Sequence, residues 1–393
     1  MTRRRQPPAA VKLAAIAATV IALVSGLAAC GGGSPPVQAP ATDPAAVAMV
    51  TGDATSPAAI ETPTIEALLN RAFDRNAGFA VVDAGGRPQL FATKLGGTFG
   101  NPDAKNAALA EQMSAAIRVL DKVIPATSES DPWTAVSEAI GWLHDQGGGT
   151  LVVENSGLGT TGFLNYRQPG LLEADPAELV TFAQAHHEEP DATGIKVILL
   201  GIGWTAPPQP ALDTPERVNL VGQWAALLKA AGAQASIDQT PLTGPAPAGA
   251  PKVSLVTTTQ VIWDPPPGTC GTALNTTELH FIVGTAQLQD PAAATPVLRN
   301  VVAELKANHR VATITGTTSS EGGAAINVPL SKKRAQVTAQ LMESIGLPRS
   351  QIGQVIGLGS HFLGYVPDIG PGGVLLPGPA AENRQVIISW PCA

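Results

Sequence analysis

The sequence predicts an α/β protein with two folded parts. The middle domain is expected to be a mostly parallel sheet with helices on both faces. The C-terminal domain is expected to run β-α-β-α-β, with a final strand and helices on one face of its sheet. Three observations predict this. Strand-like and helix-like patterns alternate along the chain from about residue 79. The middle strands are near-continuous apolar runs, as burial on both faces requires. A small-residue break, Pro245 to Pro251, separates two such stretches. The 393 residues suit two or three domains of about 100–200 residues.

Composition narrows the classes. Gly (41) and Pro (35) are abundant without a fixed period, which excludes collagen and points to linkers. Apolar residues make up 44%, enough for real cores rather than whole-chain disorder. The net charge is −7 and no basic face is visible, so no nucleic-acid partner is expected.

The N-terminus reads as an export signal over residues 1–29. Arg3, Arg4, Arg5 and Lys12 precede a short apolar run, Leu13 to Val24, and then Leu27-Ala28-Ala29-Cys30. The run is short for a spanning helix, which needs about 20 residues. Leu-Ala-Ala-Cys resembles the lipobox of bacterial lipoproteins, which implies acylation of Cys30 and membrane anchoring on the outward side of the envelope. Residues 30–60, rich in Gly, Pro, Ala, Ser and Thr, read as a flexible tether. Cys270 and Cys392 then remain, and an exported chain favours their pairing as a disulfide.

The middle domain is expected over 61–250. Phe79 to Asp83 reads as the first strand, and Leu109, Met113, Ile117, Leu120 and Ile124 mark a helix over 105–124. Trp133, Val136, Ile140 and Leu143 mark the next helix, and Thr150 to Glu154 a strand. A helix over 177–185, a strand over 195–202 and a helix over 215–230 complete the run. This layout resembles a von Willebrand factor A-type domain. That family's first strand ends Asp-x-Ser-x-Ser and helps hold a divalent metal. Here Asp83-Ala84-Gly85-Gly86-Arg87 lacks both serines, and Ser156-Gly157 stands at the later Asp-Gly position. Hard cations want several oxygen ligands, often carboxylates, so no metal and no cofactor is expected. Asp83 then caps a turn, or the loops 84–88, 155–170 and 203–213 meet a protein partner at the strand ends. The six histidines form no ligand pair, and no Gly-x-Ser-x-Gly, His-Glu-x-x-His or phosphate loop occurs. No enzyme is expected.

The C-terminal domain is expected over 252–393. Leu279 to Val283, Arg310 to Thr315, Gln354 to Leu358 and Gln385 to Trp390 read as strands. Val297 to Leu305 and Leu330 to Ile345 carry helical periodicity. Three motifs resemble the OmpA C-terminal-like family. Gly316-Thr317-Thr318-Ser319-Ser320-Glu321-Gly322 is spaced like its Gly-His-Thr-Asp-Ser-x-Gly loop. Asn327-Val328-Pro329-Leu330-Ser331-Lys332-Lys333-Arg334-Ala335 matches its Asn-x-x-Leu-Ser-x-x-Arg-Ala, and Asn383-Arg384-Gln385-Val386 its Asn-Arg-x-Val. The resemblance implies non-covalent binding of peptidoglycan through the diaminopimelate of the stem peptide. Arg334, Asn327, Thr318, Ser319, Glu321 and Arg384 are the site residues it implies.

The spacing of Arg334 from Leu330, Val337 and Leu341 puts it near the apolar face of its helix. A guanidinium there needs an acid, either a ligand carboxylate or Glu321 or Glu382 of the domain. Asn327 is expected to cap the helix or the loop, and Arg384 is also readable as a structural strand-end residue. The family's loop Asp is Ser319 here, which brings no charge. Either Glu321 substitutes, or the domain is a degenerate scaffold in an envelope protein assembly. Residues 360–381 read as an insertion able to cover the pocket.

Overall fold

The computed structural model describes residues 46–392, apart from 258–262, 276, 277, 280 and 283. The signal segment, Cys30 and the first half of the expected tether lie outside the described residues.

The elements of the middle part are β1 (Ala46–Val50), α1 (Pro63–Asp74), β2 (Gly78–Val82), β3 (Leu90–Lys94), α2 (Pro102–Lys122), α3 (Pro132–Asp145), β4 (Gly149–Glu154), α4 (Pro176–His186), β5 (Lys196–Leu200), α5 (Thr214–Ala230) and β6 (Gln234–Asp238). They form one sheet of order β3-β2-β1-β4-β5-β6, parallel except for the edge strand β3. Helices cover both faces. Ala48, Val50, Leu151, Val153, Val197 and Leu199 point to a core shared with α3, α4 and α5. Val47, Met49, Val152, Ile198 and Leu200 point to the core under α1 and α2. This alternation on a doubly covered sheet explains why every residue of β1 is buried.

Two expectations need correction. The tether expected over 30–60 cannot run its full length, because Ala46–Val50 is the central strand. Its composition, Ala-Val-Ala-Met-Val after a Pro- and Ala-rich run, hid it as linker. The strand ending at Asp83 is therefore the second in the chain, not the first. The aspartate that follows the first strand is Asp53, in Asp53-Ala54-Thr55-Ser56.

The abundant prolines start helices. Thr62-Pro63, Asn101-Pro102, Asp131-Pro132, Asp175-Pro176 and Asp290-Pro291 each place a capping side chain before a proline in the first turn. The cap oxygen takes an orphan backbone N–H, and proline gives up none that the helix needs.

The C-terminal part comprises β7 (Thr269–Asn275), α6 (Pro291–Ala307), β8 (Ala312–Thr317), α7 (Ala324–Ser344), β9 (Ile352–Gly359), α8 (Pro377–Asn383) and β10 (Gln385–Pro391). The sheet order is β7-β10-β8-β9. β8 and β9 run parallel, and β10 is antiparallel to β7 and β8. Leu298, Val302 and Leu305 of α6 and Ala335, Ala339 and Met342 of α7 pack on Leu274, Ile314, Val386 and Ile388 from one face. Cys270 and Cys392 are joined across the β7–β10 edge.

Among the described residues of the strand expected at Leu279–Val283, none belongs to a strand. β7 lies earlier, in Thr-Cys-Gly-Thr-Ala-Leu-Asn, whose small and polar residues gave no apolar run. Leu279 and Phe281 are buried, but only Phe281 makes a strand contact, a single bridge to Leu288. His280 and Val283 lie outside the described residues. Among the described residues, no helix is long and apolar enough to cross a membrane.

One buried carboxyl sets a pH dependence. Glu154 ends β4; its Oε1 accepts from Ile60 N at 2.7 Å, while its Oε2 is buried without a partner. Burial pushes its pKa up to about 7, against the lowering effect of the Ile60 N–H. The folded state therefore holds a proton that the unfolded chain releases near pH 4.5. Stability is lost as pH rises from about 4.5 to about 7, by about 3 kcal/mol at most, and is flat above. Glu154→Gln is expected to raise stability at pH 8 by about 2 kcal/mol and to leave it nearly unchanged at pH 4.5. Urea denaturation at the two pH values checks this; equal effects at both would contradict it.

Candidate functional site

Two polar clusters stand out. The first lies at the C-terminal ends of β1 and β4, the point where the strand order of the middle sheet reverses and α/β folds place ligands. Asp53 is fully buried there. Its carboxylate accepts from Thr55 N at 2.7 Å, Thr55 Oγ1 at 2.5 Å and the Ser130 hydroxyl, with longer contacts from Ser56 Oγ and Asn155 Nδ2, both 3.4 Å. Its oxygens are thus taken up by the chain's own donors, and the cluster ties three loops together. It supplies a single carboxylate. Among the described residues no group of three or more His, Cys, Asp or Glu is placed to hold a metal ion. Asp83 accepts from Gly85 N at 2.9 Å, a turn-capping bond. Asp53 was missed in the sequence because its strand was missed.

The second cluster lies where α7, the β8–α7 loop and the start of β10 converge. α7 approaches the sheet closely because β8 carries Gly316: a Cβ there would lie 2.0 Å from Ser331 O. That approach places the loop 318–322 over the helix. Asn327, inside α7, donates from Nδ2 to Ser319 O at 2.9 Å, so it caps the loop while Gly323 occupies the helix N-cap. The Ser320 N–H and hydroxyl both donate to Asp368, which also accepts from Tyr365 Oη at 2.6 Å. Burial pushes the Asp368 carboxyl up, but the bonds from Ser320, Tyr365 and Asn383 outweigh it and hold the pKa low. The insertion expected at 360–381 thus braces the loop through Asp368, a residue the motifs did not mark.

Arg334 is 2% exposed. Its Nε donates to Thr285 O at 2.8 Å, and its guanidinium lies 5.5 Å from the Phe281 ring centre. Neither Glu321 nor Glu382 pairs with it, and no other acid among the described residues does. Burial first, then the neighbouring Arg384, lowers its pKa to about 10; Glu178 acts the other way. It stays charged at neutral pH. In the β8–α7 loop, the Thr318 hydroxyl is buried without a partner.

Arg384 is clasped from the other sheet's layer. Its Nη1 and Nη2 donate to both carboxylate oxygens of Glu178 on α4, the first at 2.8 Å. Nη2 also donates to Ser319 Oγ at 3.1 Å and lies 3.9 Å from the largely exposed Glu321. Burial raises the Glu178 pKa, and the bond and charge of Arg384 oppose that rise. The surroundings of Gly170 continue this seam: a Cβ there would lie 2.2 Å from Gly378 O. The end of loop 155–170, expected to meet an external partner, thus packs against the C-terminal part of the same chain. All six expected site residues lie near this convergence, with Glu321 the most exposed. No local pattern marks Glu178, which is 206 residues away from Arg384 in the chain.

Residues 280–362 match the model of the OmpA family. The C-terminal part of the chain therefore carries an OmpA-like domain. The match holds Thr318, Ser319, Glu321, Asn327 and Arg334, and stops short of Arg384. Solved structures similar to this part include the peptidoglycan-associated lipoprotein from Burkholderia pseudomallei, at 20% identity over 28% of this chain and 87% of that one, TM-score 0.24. The OmpA-like domain of FopA1 from Francisella tularensis is 26% identical over 32% and 75%, TM-score 0.23. The cell wall anchor of the T6SS from Pseudomonas aeruginosa is 20% identical over 32% and 82%, TM-score 0.25. A comparison with curated proteins returns no match.

Proposed function

We propose that this chain is an exported lipoprotein, acylated at Cys30, that grips peptidoglycan reversibly through its OmpA-like domain and so links membrane and cell wall. The observation that carries the reading is the Arg334 guanidinium. A buried charge without a paired acid is very costly, and the loop preceding its helix holds an unpartnered buried hydroxyl, that of Thr318. Both suit a carboxylate such as that of diaminopimelate, which arginine's fork takes bidentately. The site binds and performs no chemistry. The matched family supports the wall as partner, and the signal and lipobox pattern support the membrane anchor and outward orientation.

Mature protein is expected to co-sediment with purified sacculi of the diaminopimelate type, and Arg334→Ala to cut the bound fraction at least about tenfold. Retention unaffected by that change would remove the site. A second reading, a scaffold in an envelope protein assembly, is favoured by Ser319, which leaves the loop without its own buried acid. It predicts no retention by sacculi at all.

A further inference from the structure

The β8–α7 loop, which touches Arg384 through Ser319, contributes no buried acid of its own. Residues 317–320 are Thr-Thr-Ser-Ser, and Glu321 has a side chain 64% exposed, 3.9 Å from Arg384. Yet two guanidiniums, Arg334 and Arg384, are 2% and 6% exposed there. They are close enough for the charge of Arg384 to lower the pKa of Arg334. Two buried positive charges demand compensation. The carboxylate among the described residues that pairs with one of them, Arg384, belongs to Glu178, on α4 of the middle part. It shares Arg384 Nη2 with Ser319 Oγ, so it stands beside the loop position that carries a hydroxyl instead of a charge.

We propose that the peptidoglycan site is composite, and that Glu178 is its acid, delivered from the middle domain. This rests on the binding reading above. Glu178 neutralises Arg384 and leaves Arg334 to take the ligand's carboxylate. Its carboxylate, with Glu321 at the rim, then faces the ligand's ammonium. A zwitterionic diaminopimelate end bound this way leaves every charge in the site opposed by another. The middle domain is in this sense part of the recognition surface, and its packing against α8 holds Glu178 in place.

The test is sacculus co-sedimentation of the full mature chain in five forms: unchanged, Arg334→Ala, Glu178→Gln, Ser319→Asp, and Glu178→Gln with Ser319→Asp. Glu178→Gln is expected to weaken retention about tenfold or more. Adding Ser319→Asp, which returns a carboxylate next to Arg384, is expected to restore most of it. Ser319→Asp alone is expected to change retention less than about threefold, because the acid is already present. It also serves if Glu178→Gln loosens the fold. Glu178→Gln binding as well as or better than the unchanged chain would overturn the proposal, as would a tenfold gain from Ser319→Asp alone. Unaltered retention by Arg334→Ala would instead overturn the binding reading on which it rests.

Discussion

Arg384→Ala is expected to destabilise the folded chain by about 3–5 kcal/mol, the usual result of removing one member of a buried ion pair. The Arg384 and Glu178 side chains are only 7% and 11% exposed. Without the guanidinium, Glu178 is left facing Ser319 with no cation hydrogen-bonded to it. It must take up a proton or draw in water, and the seam between α4 and α8 opens in either case. Ser319 Oγ also loses its donor. The double variant Arg384→Ala with Glu178→Ala is expected to be less destabilised than the two single effects added together, because the stranded charge is gone. Urea denaturation of the four forms measures the coupling. A loss under about 1 kcal/mol for Arg384→Ala, the range of exposed pairs, would show that the pair is solvated and that the seam is not closed as described.

Gly316→Ala is the second large effect. The added methyl would meet Ser331 O at 2.0 Å and Ser331 C at 2.8 Å. These are backbone atoms in the middle of α7, so no rotamer change makes room. The helix must lift from β8, and Gly357 on β9, whose Cβ would lie 2.3 Å from Lys332 N, shows that the contact is close along two strands. A cost of about 3 kcal/mol or more follows, at the upper end for overpacking. It should appear as a fall in melting temperature of about 5 °C or more. Because α7 carries both Asn327 and Arg334, sacculus retention should fall as well. An unchanged melting temperature would contradict the packing.

The parts of this molecule legible in the sequence were those with strong local signals. The helices α2, α3, α5 and α7 carry clear periodicity, and β2, β4, β5 and β10 are apolar runs. β1 was missed because alanine and valine after a proline-rich stretch look like linker; only its central place in the sheet makes it a strand. β7 was missed for the opposite reason, since Leu279 and Phe281 form a stronger apolar run than the real strand. At the site, Arg334, Asn327 and Arg384 were visible through their motifs. Glu178 and Asp368 were not. Each meets its partner through tertiary packing alone, Glu178 from another sheet and Asp368 from an insertion without a motif. A neutral Ser319 signals that an acid is missing; the local candidate, Glu321, stays largely exposed, and nothing local points to Glu178.

The central claim is that Arg334 holds a ligand carboxylate in this site. The most direct measurement is a calorimetric titration of the full mature chain, and of Arg334→Ala, with a soluble stem peptide ending in diaminopimelate. Saturable binding to the unchanged chain, weakened at least about tenfold in the variant, is the predicted result. Absence of saturable binding to the unchanged chain, or equal affinity in both, would contradict it.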